Sequence, residues 1–147
     1  MIVRTDMSHL DEITAIENAV FPHPWSKTQL QHDILTQLET ENFVYIQNKS
    51  VIGYIFGWVI EEEYHLNNIA VHKDFRRRQV GRSLINHVIA LLIDKNVQII
   101  FLEVDIKNTA AQKCYESLGF EQNGRRKNYY PSGDDALLYI FRMNSHG

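Results

Sequence analysis

The sequence predicts an α/β class with a mixed sheet, and three observations carry that expectation. The runs NFVYIQ and VIGYIFGWVI are rich in β-branched and aromatic residues and are separated only by a polar NKS turn, as antiparallel neighbours are. Other stretches repeat apolar residues every three or four positions, the period of a helix with one buried face. Between Tyr64 and Val104 a strand, a helical stretch and a continuous apolar strand follow one another, the order of a crossover.

Taken in order, IVR at Ile2 to Arg4 reads as a short strand, and Ser8 followed by Asp11 gives a capping-box-like helix start. Leu10, Ile13, Ile16 and Val20 recur at helical spacing until FPHPW breaks the helix. Ser26 can cap a second helix, in which Leu30, Ile34 and Leu38 lie four apart and share a face. The meander strands follow, the last over Tyr64 to Val71, with the acidic Glu61 to Glu63 in a solvated hairpin turn. From Arg82 to Lys95 a broad stripe of Leu84, Ile85, Val88, Leu91 and Leu92 predicts a helix, followed by a strand over Val97 to Val104. A last helix over Thr109 to Leu118 stops at Gly119, and strands near Phe120 to Arg125 and Ala136 to Arg142 flank a polar loop. No repeat, low-complexity tract or long Pro/Gly linker interrupts the 147 residues, so one domain, 1–147, is expected.

Composition narrows the function classes. Fifteen Lys and Arg against eighteen Asp and Glu give a formal charge of -3, whereas a protein that neutralises many backbone phosphates carries a basic footprint. No direct nucleic-acid binding is expected. The longest apolar runs, such as IALLI and IIFL, fall well short of a membrane span, and MIVRTDMSHL has no signal-peptide apolar region. A soluble, cytoplasmic protein is the expectation. Cys114 is the single cysteine and fits a reducing compartment; a lone helical cysteine is ordinarily an inert side chain. The seven histidines show no short ligand spacing, so no metal site is expected.

Between Phe75 and Leu84 the chain reads FRRRQVGRSL. A strand leading through a glycine-containing turn into a helix can hold phosphate, because the first helical N–H groups lack intrahelical partners and the macrodipole is positive there. Arginines add bidentate partners. An arginine run alone is equally a solvated surface. Here it stands among LNNIAV, FLEV and IKNTAAQKCYESLGF, and that ordered set resembles the acetyl-CoA-binding core of the GCN5-related N-acetyltransferase (GNAT) family. The resemblance implies a mostly antiparallel mixed sheet with flanking helices and a central parallel strand pair. It also implies acetyl-CoA as co-substrate, with no metal.

The family's loop pattern, Gln/Arg-x-x-Gly-x-Gly/Ala, falls by resemblance on Arg76, Arg77, Arg78, Gln79, Val80 and Gly81, with Arg82 opening the helix. Gln79 stands where the first glycine belongs; if that position requires positive φ, a non-glycine residue costs about 1 kcal/mol. PWS at Pro24 to Ser26, NIAV, LEV, NTAAQKCYESLGF and RRKNYYP extend the likeness along almost the whole chain to the RimI branch. Its members acetylate the N-terminal alanine of a small-subunit ribosomal protein, which implies a ribosomal-protein N-terminus as partner. The rival readings are an acetyltransferase of small amines or lysine and a non-catalytic CoA-binding module.

Acetyl transfer to an amine needs a neutral amine, stabilisation of the oxyanion and a proton for the departing thiolate. Alternation along Val97 to Val104 places Ile99, Phe101 and Glu103 on one face, so a carboxylate ends a row of apolar side chains. By itself Glu103 could be a strand-end residue reaching solvent; the resemblance makes it the general base. Tyr115, with Ala111 and Leu118 a turn away, could be an aromatic packed on the sheet; the resemblance makes it the general acid. Asn108 is placed to cap the last helix, and by resemblance also contacts the pantetheine arm. The resemblance further implies that main-chain groups of the strand at Ile69, Ala70 and Val71 bind the cofactor, and that Trp25, Tyr129 and Tyr130 line the peptide entrance.

Overall fold

A computed structural model describes residues 1–36, 39–76 and 78–143. In chain order the elements are β1 (Ile2–Arg4), α1 (Leu10–Val20), α2 (Lys27–Leu35), β2 (Phe43–Gln47), β3 (Ser50–Ile60), β4 (Glu63–Val71), α3 (Val80–Ile93), β5 (Ile99–Asp105), α4 (Thr109–Ser117), β6 (Glu121–Arg126) and β7 (Ala136–Arg142), with 3-10 turns at Met7–His9 and Lys73–Phe75. Seven strands form one sheet in the order β1-β2-β3-β4-β5-β7-β6. All neighbours run antiparallel except β4 and β5, which are parallel and joined through α3. This is the mixed α/β sheet with a central parallel pair that the sequence leads one to expect.

Each face of the sheet is covered by a pair of helices. Leu84, Ile85, Val88 and Leu92 of α3, with Tyr115 of α4, bury one face against Ile100, Leu102 and Val104 of β5 and Leu137, Tyr139 and Phe141 of β7. Leu10, Ile13 and Ile16 of α1 and Leu30 of α2 cover the other against Val44, Tyr54, Phe56 and Ala70. Each large apolar side chain fully removed from water contributes about 1.5–3 kcal/mol, so these stripes, rather than helix propensity, fix where the helices lie.

Several boundaries differ from the expectation, each for a local reason. The cap before α1 is Asp6, not Ser8: in an extended conformation its carboxylate accepts from the Ser8 N–H at 2.9 Å, while its own N–H donates to His9 Nδ1. Ser26 does cap α2, in a reciprocal box with Gln29. That helix ends at Leu35, and Leu38 lies outside the described residues. α3 starts at Val80, two residues before the expected Arg82, because the turn is made at Gln79 and Gly81 already belongs to the first helical turn. α4 closes as expected, with Gly119 at φ 103°.

Gly53 of β3 places α3 against the sheet. A Cβ there would come within 2.9 Å of Val80 Cγ1 and 3.2 Å of the Ala70 carbonyl oxygen. Its absence lets the start of α3 rest beside the end of β4.

Candidate active site

The site begins with a break in the sheet. β4 and β5 pair only at Glu63 with Ile99, Tyr64 with Ile100 and His65 with Phe101. On its other edge β4 shifts register against β3, with Gly57 opposite Leu66 but Phe56 opposite Asn68, so Asn67 is an extra, bulged residue. Beyond the bulge β4 stays on β3 as far as Val71, while β5 continues along β7 as far as Asp105. The two parallel strands therefore diverge, and a gap opens between them. His72 N–H donates to the Ile52 carbonyl of β3 at 2.8 Å. By strand alternation the backbone groups of Ile69 and Val71 then point away from β3, into the gap, while those of Ala70 are turned to β3.

The end of β4 leads to the start of α3. Gln79 adopts φ 63°, ψ 23°, the left-handed conformation that carries a cost for a non-glycine residue. The first intrahelical acceptor bond is Ser83 N–H to Gln79 O at 2.9 Å, so the N–H groups of Val80, Gly81 and Arg82 precede it at the positive end of the helix. A Cβ on Gly81 would stand 3.7 Å from Val71 Cγ2, which puts this helix start directly against the gap. The arginines do not act as one cluster. Arg76 is exposed, the Arg78 guanidinium lies 5.4 Å from the Phe75 ring centroid, and Arg82 donates to Ser117 Oγ of α4 at 2.7 Å. Arg77 lies outside the described residues. A gap with free backbone groups beside a helix N-terminus fits the linear amide arm and diphosphate of a coenzyme A. Gln79→Gly, which relieves the φ cost, should raise Tm by about 2–4 °C for a gain near 1 kcal/mol; a calorimetric fall in Tm would show that the Gln79 side chain contributes more than its backbone costs.

Across the gap, α4 is held to the end of β5 by Gln112, whose amide donates to the carbonyls of Asp105 at 3.2 Å and Ile106 at 3.0 Å. Asn108 caps the helix, accepting from Ala111 N–H at 3.1 Å. Tyr115 is buried, with ring centroids 5.8 Å from Phe120 and 6.4 Å from Tyr139. Burial, then the neighbouring Cys114 and Tyr130, push its hydroxyl pKa above the ordinary value, so it keeps its proton at neutral pH. Burial likewise raises the Cys114 thiol, against a smaller lowering by Arg82, in keeping with an inert side chain.

Glu103 lies on the opposite face of β5 from that core, and its side chain is 32% exposed. Three side chains converge on it. Arg126 of β6 approaches Glu103 Oε1 at 3.7 Å and also lies over the Tyr129 ring, 5.6 Å from its centroid. The Glu103 carboxylate beside the Tyr129 hydroxyl raises its pKa. Burial, then the charges of Glu103 and Asp105, push Tyr130 up to about 12. The loop carrying these tyrosines is organised by two aspartates. The Asp134 carbonyl accepts from both tyrosine N–H groups, and the Asp135 carboxylate accepts from Asn128 N–H and Arg125.

The remaining wall is formed by α2 and the turn before it. Trp25 is half-buried there, beside a cavity of about 440 Å³ that also meets His32 and Asp33. A second cavity, about 200 Å³, shares His32 and Asp33 and reaches Asn67 at the bulge. Of the residues singled out in the sequence, Trp25 stands beside α2 and Tyr129 and Tyr130 lie on the loop after β6, while Ile69, Val71 and Gly81 border the gap and Asn108 follows the end of β5, its N–H donating to the Asp105 carbonyl. Arg126, Gln112 and Asn67 were missed, for their importance comes from pairing and not from any local pattern. Among the described residues no group of three or more His, Cys, Asp or Glu is placed to hold a metal ion.

A sequence profile of the Acetyltransferase (GNAT) family matches residues 10–120, from α1 through α4 and so across the whole gap. The chain belongs to the GNAT acetyltransferase family. Members of the family use acetyl-CoA, the molecule for which the gap and helix start are suited. This GNAT chain is 45% identical over 127 residues to the ribosomal protein bS18-alanine N-acetyltransferase of Salmonella typhimurium, covering 84% of each chain. It is 38% identical to the Escherichia coli enzyme of that name, again over 127 residues and 84% of each. The crystal structure of the Escherichia coli ribosomal-protein alanine N-acetyltransferase superposes with a TM-score of 0.91 at 32% identity, covering 97% of this chain and 93% of that one.

Proposed function

We propose that this acetyltransferase modifies the α-amine of a protein N-terminus, and that its substrate is the N-terminal alanine of ribosomal protein bS18. The observation that carries the reading is that the strand gap opens beside Glu103, whose face also presents Tyr129, Tyr130 and the groove along α2. The names of the relatives given above support bS18 as that substrate. When bound, acetyl-CoA supplies the acetyl group as a thioester. The N–H groups at the start of α3 hold its diphosphate, and the Ile69 and Val71 backbone groups orient its arm. Trp25 and Tyr130 border the space for the incoming peptide end. Glu103 removes the proton that makes the amine unreactive, and Tyr115 holds a proton for the departing sulfur.

An α-amine suits this site energetically. With a pKa of about 8 against about 10.4 for lysine, roughly a tenth of it is neutral at pH 7, against ~0.04% of lysine. A moderately basic carboxylate is sufficient. The test compares acetylation of an alanine-initiated peptide with that of the same peptide N-terminally blocked, of internal lysines and of polyamines. Product with the free N-terminus alone is expected; preference for polyamines or lysine would assign another acceptor, and coenzyme binding without product on any amine would make the protein a non-catalytic CoA-binding module.

A further inference from the structure

Glu17 of α1 is 1% exposed, yet the mechanism above does not use it. Taking a carboxylate out of water is costly unless its oxygens are bonded. Glu41, the other buried carboxylate among the described residues, is paired with Arg4 at 2.9 Å and Lys95 at 3.0 Å. Glu17 is held differently. Its Oε2 accepts from the main-chain N–H of Trp25 at 2.9 Å, and its Oε1 accepts from the Asn68 side-chain amide at 2.7 Å and from the Tyr54 hydroxyl.

These three donors come from three separate pieces of the chain, and two of them border the site. Trp25 is the acceptor wall. Asn68 follows the bulged Asn67 and immediately precedes Ile69, whose backbone faces the gap. One carboxylate therefore spans from the strand expected to hold the coenzyme to the wall expected to hold the peptide. A glutamine has one accepting oxygen for these donors: with it on the Trp25 main-chain N–H, Tyr54 and Asn68 must reverse to accept from its NH2, and the charge that strengthens all three bonds is lost. We propose that Glu17 is a positioning residue of the acceptor site, whose buried carboxylate fixes the Trp25 segment relative to β4 and so sets where the peptide N-terminus stands. It touches neither substrate directly. This rests on the reading of Trp25 as acceptor wall.

Glu17→Gln preserves volume and tests the idea. Hydrogen bonds to charged groups are of a size that predicts a rise of about tenfold or more in KM for the alanine-initiated peptide, with kcat and acetyl-CoA affinity changed by less than about threefold. The effect should act through Trp25: in a double-mutant cycle, Glu17→Gln added to Trp25→Ala should raise KM little further. Multiplying effects, or an unchanged peptide KM, would overturn the proposal. A readout independent of activity is acrylamide quenching of Trp25 emission in a Trp58→Phe background. Glu17→Gln should expose Trp25 to the quencher, and unchanged quenching would also overturn it. If no amine is acetylated by the wild type, the functional reading fails, while the quenching result still decides whether Glu17 holds Trp25. Should Glu17→Gln not fold, Asn68→Ala cuts the same link from the β4 side; peptide kcat/KM should fall about tenfold with acetyl-CoA affinity retained, and an unchanged kcat/KM would overturn the proposal.

Discussion

Glu103→Gln should lower kcat/KM for an alanine-initiated peptide by about 10²- to 10³-fold near pH 6.5, and by progressively less as the pH rises. General-base catalysis by a positioned side chain is worth about 10²–10⁴-fold. The variant keeps an oxygen able to accept from Tyr129 but cannot take a proton. It must then draw on amine that is already neutral, a fraction that grows tenfold per pH unit below a pKa of about 8 and levels off above it. The ratio of wild-type to variant rates should therefore fall across that window. Little stability is at stake, since the Arg126 contact is at the surface and such pairs are worth about 0–1 kcal/mol. Initial rates measured from pH 6 to 9 in both proteins check this. A ratio that stays constant with pH would assign Glu103 to binding rather than to proton removal.

Tyr115→Phe should reduce kcat by about 10²-fold while acetyl-CoA affinity stays within about twofold. The ring would keep its contacts with Phe120 and Tyr139, so the packing of α4 is preserved. Only the hydroxyl is lost. Because burial raises its pKa, that hydroxyl is protonated throughout the neutral range, as an acid for a departing thiolate must be. The loss should accordingly show no titration between pH 6 and 9, in contrast to Glu103→Gln. Single-turnover rates with a calorimetric titration of the coenzyme separate the two terms. Unchanged turnover would leave Tyr115 as a core aromatic, the reading its local sequence equally allowed.

What the sequence revealed was local. Ser26 with Gln29, the stripe from Leu84 to Leu92, and Gly119 beyond α4 each lie within a few residues of the partner that gives them meaning. Strand alternation likewise put Glu103 on the right face of β5. The site's shape was not legible, because it arises from pairings between distant segments. The bulge at Asn67 exists only in relation to β3, and Arg126 meets Glu103 only because β6 returns to the edge of β7. In the sequence Gln79 stands out only as a departure from a glycine pattern, and Gly81 reads as part of the turn although it lies in the first turn of α3. Glu17 did leave a signal. It lies four residues after Ile13, on the buried stripe of α1, where a carboxylate is unexpected, but its partners are 8, 37 and 51 residues away.

Mass spectrometry of unacetylated bS18 incubated with acetyl-CoA and this protein tests the central claim most directly. A single acetyl group on the α-nitrogen of the first alanine, absent when either component is omitted, is the predicted result. Acetyl groups confined to lysine side chains, or a bS18 N-terminus that remains free while the coenzyme is bound, would contradict it.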